Sequence, residues 1–276
     1  MLYHKIFKIK HFIWSKMIQN YTLNKMSRLG EEGNHIVQAF LKTLKLQNTA
    51  NENQTFEVLQ QFRQDLSVNK RSISFVEIGS DSEMTVAEVA QRAASPEIWA
   101  QFFYHLSKAE PTENILEIGT NLGVSGQYFI KALEEKKNGK FITLEGVKGL
   151  CEIAENQFES LANPSRFEVL HGLYDQTLIN IINRGILFNL VFIDGNHQYN
   201  ATLRYFEMLK NNLADKALVI FDDIHWSKGM RKAWREICKQ KGVILSVNFF
   251  KLGVIIFDSK STQLTSDHYQ LFLSLY

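Results

Sequence analysis

From Asn114 onward, apolar runs and amphipathic stretches alternate along the chain. Short apolar runs at Ile115–Ile118, Phe141–Leu144, Phe167–His171, Leu190–Ile193 and Ala217–Phe221 predict strands. Between them, Gly126–Glu135, Lys148–Leu161, Tyr174–Arg184 and Tyr199–Asn212 carry the i, i+3/i+4 spacing of helices. Strands that are apolar throughout and separated by helices call for a parallel sheet covered on both faces. A helix over Gly229–Lys241 then leads into Val243–Phe250, a turn at Lys251-Leu-Gly253, and Val254–Phe257. That pair reads as a hairpin, so one strand must run against the others.

The first 95 residues follow a different rhythm. The pattern is helical to about Leu46, with Gly30 and Gly33 splitting it in two, and His35–Leu46 shows clear helical spacing. A polar linker, Gln47–Thr55, precedes a helix over Phe56–Leu66. Arg71–Ser80 predicts a short strand and turn whose Glu77-Ile-Gly79 copies Glu117-Ile-Gly119. No second glycine follows the copy, so it reads as a decoy. Thr85 and Glu88 form a capping box for the next helix, and Pro96–Ala109 forms another. The expected organisation is a helical cap or substrate region over 1–95 and a ligand-binding α/β domain over 96–276.

Composition narrows the class. With 45% hydrophobic residues and three prolines in 276, the chain can bury a large core and is not a disordered segment. Cys151 and Cys238 have no metal-ligand spacing and read as buried thiols in a reducing compartment. No apolar run reaches the ~20 residues that span a bilayer. The lysine-interrupted start lacks a cleavage site, so a cytoplasmic protein is expected. Residues 1–30 hold six basic and no acidic residues, which leaves the rest of the chain at −4. Such an arm could meet nucleic acid, an acidic membrane surface or an anionic substrate. The preferred reading is that Ile6, Ile9, Phe12 and Ile13 pack on the main domain while the lysines stay solvated. A homodimer also remains open.

In an open parallel sheet, ligands bind beyond the C-terminal strand ends. The first such end, Asn114-Ile-Leu-Glu-Ile-Gly-Thr-Asn-Leu-Gly-Val-Ser125, offers Glu117, a glycine turn with Gly119 and Gly123, and Ser125 as a helix cap with its hydroxyl and N–H groups toward the gap. The second ends in Glu145, a carboxylate able to accept two ribose hydroxyls or, alternatively, a solvated loop residue. The third gives His171-Gly172-Leu173-Tyr174-Asp175, where a purine could lie over apolar side chains. The fourth ends in Asp194-Gly-Asn-His197, and the fifth in Asp222-Asp223-Ile-His225-Trp226. His197 could equally be a helix N-terminal or packing histidine. A carboxylate ending an apolar strand is costly unless it finds donors or a cation. Asp194, Asp222 and Asp223 therefore suit a hard, oxygen-ligated ion such as Mg²⁺. The alternative is that one caps a helix and another receives cofactor donors.

The order of these features over about residues 96–258 resembles the class I S-adenosylmethionine-dependent methyltransferases, and within them the catechol-type O-methyltransferases and their bacterial relatives. Leu116–Ser125, Thr143-Leu-Glu145, Val191–His197 and Val219–Asp223 carry the likeness. The resemblance implies a Rossmann-like, seven-stranded, mostly parallel sheet with a terminal antiparallel hairpin and an N-terminal helical cap. It implies S-adenosyl-L-methionine as cofactor. Glu117, Gly119, Thr120, Asn121, Gly123 and Ser125 would lie at its methionine part and Glu145 at the ribose. Gly172, Leu173 and Tyr174 would border the adenine, and Asp194 would also touch the cofactor. Asp194, Asp222 and Asp223 fall at the family's metal positions, although the third is usually asparagine there. His197 stands where the family's catalytic lysine is expected.

The activity this implies is O-methylation of a small molecule with divalent-metal assistance. Asp194 and either His197 or His225 would act as catalytic groups, with Trp226 and the N-terminal helices as acceptor walls. Rival readings are a metal-free methyltransferase acting on nitrogen or RNA, and a non-catalytic cofactor-binding scaffold. A nicotinamide dehydrogenase is disfavoured, because Gly119-Thr-Asn-Leu-Gly123 lacks the close first glycine pair of GxGxxG.

Overall fold

The structure, a computed structural model, describes residues 2–109, 112–263 and 266–274, with side chains from residue 6 onward. Met1 and the last two residues, the ends of the two expected domains, lie outside the described residues. The N-terminal region forms α1 (Leu2–Met26), α2 (Glu31–Lys45), α3 (Ala50–Val68), β1 (Ser72–Ser74), β2 (Glu83–Thr85), α4 (Val86–Ala93) and α5 (Glu97–Ser107). The alternating region follows as β3 (Asn114–Ile118), α6 (Gly126–Ala132), β4 (Lys140–Glu145), α7 (Lys148–Leu161), β5 (Phe167–His171) and α8 (Tyr174–Asn183). It continues through β6 (Phe188–Ile193), α9 (Tyr199–Leu209), β7 (Leu213–Phe221) and α10 (Lys228–Ile237). It ends with β8 (Val243–Asn248), β9 (Gly253–Asp258) and β10 (Asp267–Gln270).

The chain divides into two compact units, residues 42–186 and residues 1–41 with 187–276. In the unit 42–186, β3, β4 and β5 pair in parallel, with Glu117 opposite Thr143 and Glu145 opposite His171. Their apolar faces explain the pairing, since every residue from Ile115 to Ile118 and from Phe141 to Glu145 is buried. Phe103, Phe129 and Phe141 stack with centroids 5.6 and 5.7 Å apart, and Phe158 and Phe167 extend the row edge-to-face. The predicted capping box is formed: Thr85 accepts from the Glu88 N–H while Glu88 accepts from the Thr85 N–H. A second box, Thr49 with Glu52, opens α3.

In the other unit, β6 and β7 are parallel, β9 runs antiparallel to both β7 and β8, and β10 adds a parallel edge to β8. The strand order is β10-β8-β9-β7-β6 here and β3-β4-β5 in the first unit; among the described residues β10 is a strand beyond the seven expected. The extra one, Asp267-His-Tyr-Gln270, is short and polar; only Tyr269 is buried. It has no apolar alternation to announce it. Cys151 and Cys238 are free and buried, as expected. Burial pushes their thiols up to about 12 and about 11, so neither is a ready thiolate.

Helix α1 corrects one expectation. Ile6, Ile9 and Ile13 are exposed, together with Trp14, Met17 and Tyr21. The buried side is made by His11, Ser15, Thr22, Leu23 and Met26, and only Phe12 of the predicted stripe packs, with its ring 5.0 Å from Phe272. His11 hydrogen-bonds the Leu271 carbonyl at 3.1 Å, so a polar contact rather than the isoleucines sets the helix's rotation. Among the described residues no helix is long and apolar enough to cross a membrane.

Candidate active site

In the unit 42–186 the glycine corner after β3 is built as its sequence demands. Gly119 and Gly123 adopt φ of 108° and 81°, a region side chains strain to enter. A Cβ on Gly123 would also stand 2.9 Å from the Ala154 methyl and 3.0 Å from the Phe158 ring. Asn121 takes the left-handed conformation between them, and its side chain accepts the Leu122 N–H at 2.8 Å.

Two buried carboxylates flank this corner, and both are balanced by neutral donors. Glu117 accepts from the hydroxyls of Ser125 and Thr143, the latter at 2.7 Å, and the Thr120 hydroxyl lies 2.5 Å from that of Thr143. Burial pushes Glu117 up to about 8 and the nearby Glu145 adds to this, while the two hydroxyls pull the other way. Glu145 accepts from the backbone N–H groups of Asn121 at 2.8 Å and Val147 at 3.0 Å. Burial raises its carboxyl too, and the amides offset part of that rise. The solvated-loop alternative for Glu145 therefore fails, since the side chain is buried.

Ser125 departs from its expected posture. It sits at the start of α6 with helical φ/ψ and makes no capping bond, because its hydroxyl is committed to Glu117. At the end of β5 the Gly172 N–H bonds the Glu145 carbonyl at 2.9 Å, and Leu173 stays half exposed beside Tyr174 at the start of α8.

The apparent decoy has a place here. Glu77, in a 3₁₀ turn, accepts from the Lys148 N–H at 2.7 Å at the start of α7 and lies 3.3 Å from the His171 ring. Ile78 packs so closely on Gly146 that a Cβ there would come within 2.6 Å of it. Sequence reasoning missed both residues. The signal was the second Glu-Ile-Gly, judged by its spacing to the next glycine rather than by where β1 and β2 carry it.

In the other unit, the ends of β6 and β7 bring together Asp194, His197, Asp222 and Asp223. The Asp222 N–H bonds the Ile193 carbonyl at 3.0 Å, which sets the two strand ends side by side. His197 Nε2 lies 3.5 Å from Asp194 Oδ1. The residue that sequence reasoning missed is Lys251. Its ammonium donates to both oxygens of Asp222, at 2.9 and 2.8 Å, and to Asp223 at 3.2 Å. Burial disfavours the Lys251 charge, but Asp222 and Asp223 outweigh burial and hold the ammonium well above its ordinary pKa. Burial and then Asp222 hold Asp194 above the carboxylate range. Burial and Asp222 also raise Asp223, against the pull of Lys251. Neither Asp222 nor Asp223 caps α10, whose N-terminus is held by the Ser227 hydroxyl accepting from Met230.

The expected Mg²⁺ does not fit this arrangement. Among the described residues no group of three or more histidine, cysteine or carboxylate side chains is set to hold a metal ion. The oxygens of Asp222 and Asp223 already surround the Lys251 nitrogen. His225 belongs to a separate aromatic group. It stacks on Phe250 at 4.8 Å, meets Phe7 edge-on at 5.3 Å, and places Nε2 3.1 Å from the Asn248 amide. Trp226 next to it is 71% exposed.

The parallel strands of each unit, the antiparallel β9 and the glycine corner are those of a Rossmann-like α/β fold. Residues 116–224 match a family model described as a methyltransferase domain. No curated protein matches the chain. Among solved structures, an O-methyltransferase from Bacillus cereus in complex with SAH is 21% identical with a TM-score of 0.57, covering 75% of this chain and 91% of that one. The SAH-bound methyltransferase PaMTH1 of Podospora anserina is 14% identical, with a TM-score of 0.54 over 74% and 96%. The O-methyltransferase TomG of Streptomyces achromogenes, in complex with SAM, is 18% identical, with a TM-score of 0.50 over 60% and 82%. At these identities the likeness is one of fold.

Proposed function

We propose that this protein transfers a methyl group from S-adenosylmethionine to an oxygen of a small-molecule acceptor. The observation that carries the reading is the pair of buried carboxylates at the glycine corner, Glu117 and Glu145, whose described hydrogen bonds come from neutral hydroxyls and amides. Such a pair favours a cationic ligand, because each carboxylate is raised by burial and a positive charge nearby would offset that cost. S-adenosylmethionine, when bound, supplies an electrophilic methyl on a positive sulfur.

The chain's own residues would bind, orient and handle a proton. Glu145 uses one lone pair on each oxygen for the amides of Asn121 and Val147, leaving others for the two ribose hydroxyls. Gly119, Thr120, Asn121, Gly123 and Ser125 shape the methionine end. Gly172, Leu173 and Tyr174 would border the adenine, with Ile78 as an added wall. Asp194 and His197 would take the acceptor's proton, His197 as the base and Asp194 orienting it. Fixing the reacting atoms in line is then the main source of rate. Residues 1–95 as a cap over the acceptor belong to the same proposal.

The metal-assisted form of the reaction, with Asp194, Asp222 and Asp223 as ligands, is the rival reading, and the Lys251 contacts count against it. Calorimetry with S-adenosylmethionine and S-adenosylhomocysteine is the first test, and absence of binding to either would sink the proposal. Radiolabelled methyl transfer to a panel of catechols and other hydroxyl compounds, with and without chelator, separates the two forms.

A further inference from the structure

We infer that Lys251 is a built-in cation that stands in the place of a divalent metal, so that the acidic cluster at the ends of β6 and β7 takes no Mg²⁺ while this lysine is present. The consequence for catalysis rests on the proposed methyl transfer; the ion-binding claim does not.

Three observations carry it. First, the contacts exhaust the ammonium: it has three N–H donors, and the two oxygens of Asp222 with one of Asp223 take all of them at 2.8 to 3.2 Å. Second, a magnesium ion needs about six oxygens at about 2.0–2.1 Å. To reach those same three oxygens it would have to sit almost where Nζ is, against a full positive charge.

Third, the backbone holds the lysine there. Lys251 follows Phe250, whose φ of 72° is rare for a bulky side chain, and faces Asp223 at φ 50°. The Asn248 side chain accepts the Phe250 N–H at 2.8 Å, and the Phe249 and Leu252 backbones bond at 2.8 Å. The Ile224 N–H bonds the Lys251 carbonyl at 3.1 Å, fastening this loop to the one that carries Asp222 and Asp223. Phe249, Phe250 and Leu252 are buried, so the loop cannot slide without exposing three large side chains. Lys251 is therefore a positioning residue. It fixes the orientation of Asp222 and Asp223, beside which His197 Nε2 lies 3.5 Å from Asp194 Oδ1.

The test titrates Mn²⁺ into the chelator-treated full chain, followed by electron paramagnetic resonance and by melting temperature. Wild type is expected to show no saturable Mn²⁺ site at millimolar concentration and no shift in melting temperature with Mn²⁺ or EDTA. Lys251→Ala is expected to melt lower and to gain a Mn²⁺ site at least tenfold tighter than any in wild type, with the lost melting temperature partly restored by the ion. Lys251→Arg keeps a positive charge and should bind no Mn²⁺. A wild-type Mn²⁺ site that disappears in Asp222→Ala overturns the inference, and so does Lys251→Ala binding no better than wild type. If Lys251→Ala does not fold, the wild-type titration still decides. Failure to bind S-adenosylmethionine would remove the proposed activity and leave this result intact.

Discussion

Two groups of buried carboxylates sit at the strand ends of this chain, and they are neutralised in opposite ways. Glu117 and Glu145, in residues 42–186, take their described hydrogen bonds from hydroxyls and backbone amides. Asp222 and Asp223, in the other unit, close around a lysine ammonium. Neutral donors reduce the cost of a buried charge without cancelling it, whereas an ion pair cancels it and then depends on both partners being present. The first group is thus suited to receive a cation from outside, and the second already contains one.

The largest expected effect breaks the second group. Asp222→Ala removes two of the three hydrogen bonds to the Lys251 ammonium in a mostly buried place, and should cost about 3 kcal/mol in chemical denaturation. A loss under about 1 kcal/mol would mean that solvent screens the pair and the contrast is weak. Next, Glu145→Ala should leave the fold in place and weaken S-adenosylhomocysteine binding by about 10- to 100-fold in calorimetry, the worth of hydrogen bonds to a charged group. Unchanged affinity would detach Glu145 from the cofactor.

A pH series sharpens the first group. Glu117 is raised from 4.5 to about 8, so between these values the folded chain keeps a proton that the unfolded chain has released. Its contribution to stability is complete below pH 4.5 and is lost as pH rises toward 8. Glu117→Gln, which titrates in neither state, should flatten that slope, and an unchanged slope would remove Glu117 as its source. The smallest effect is expected from Ser125→Ala, about 1 kcal/mol, because Thr143 still donates to Glu117.

The strands from β3 to β9 were legible because each is an apolar run between amphipathic helices, and burial of both sheet faces requires that pattern. The glycine corner was legible because positive φ at Gly119 and Gly123 excludes nearly everything else. β10 was not, since its four residues are mostly polar and gain their place from pairing with β8. The exposed face of α1 was not legible either: apolar spacing marks a helix but does not say which side finds a partner, and here His11, Ser15 and Thr22 are turned inward instead.

What the sequence by itself determined is the set of residues at the strand ends, because within each unit parallel strands place the last residues of their apolar runs at the same edge. The charge state of those residues was decided only by tertiary structure. Lys251 stands 28 residues after Asp223 in a turn that reads as ordinary, and it reaches the aspartates because β8 and β9 fold back beside β7. Glu77 likewise meets His171 from 94 residues away. An electrostatic partner is chosen by distance in space, and local sequence patterns carry no record of which distant side chain arrives.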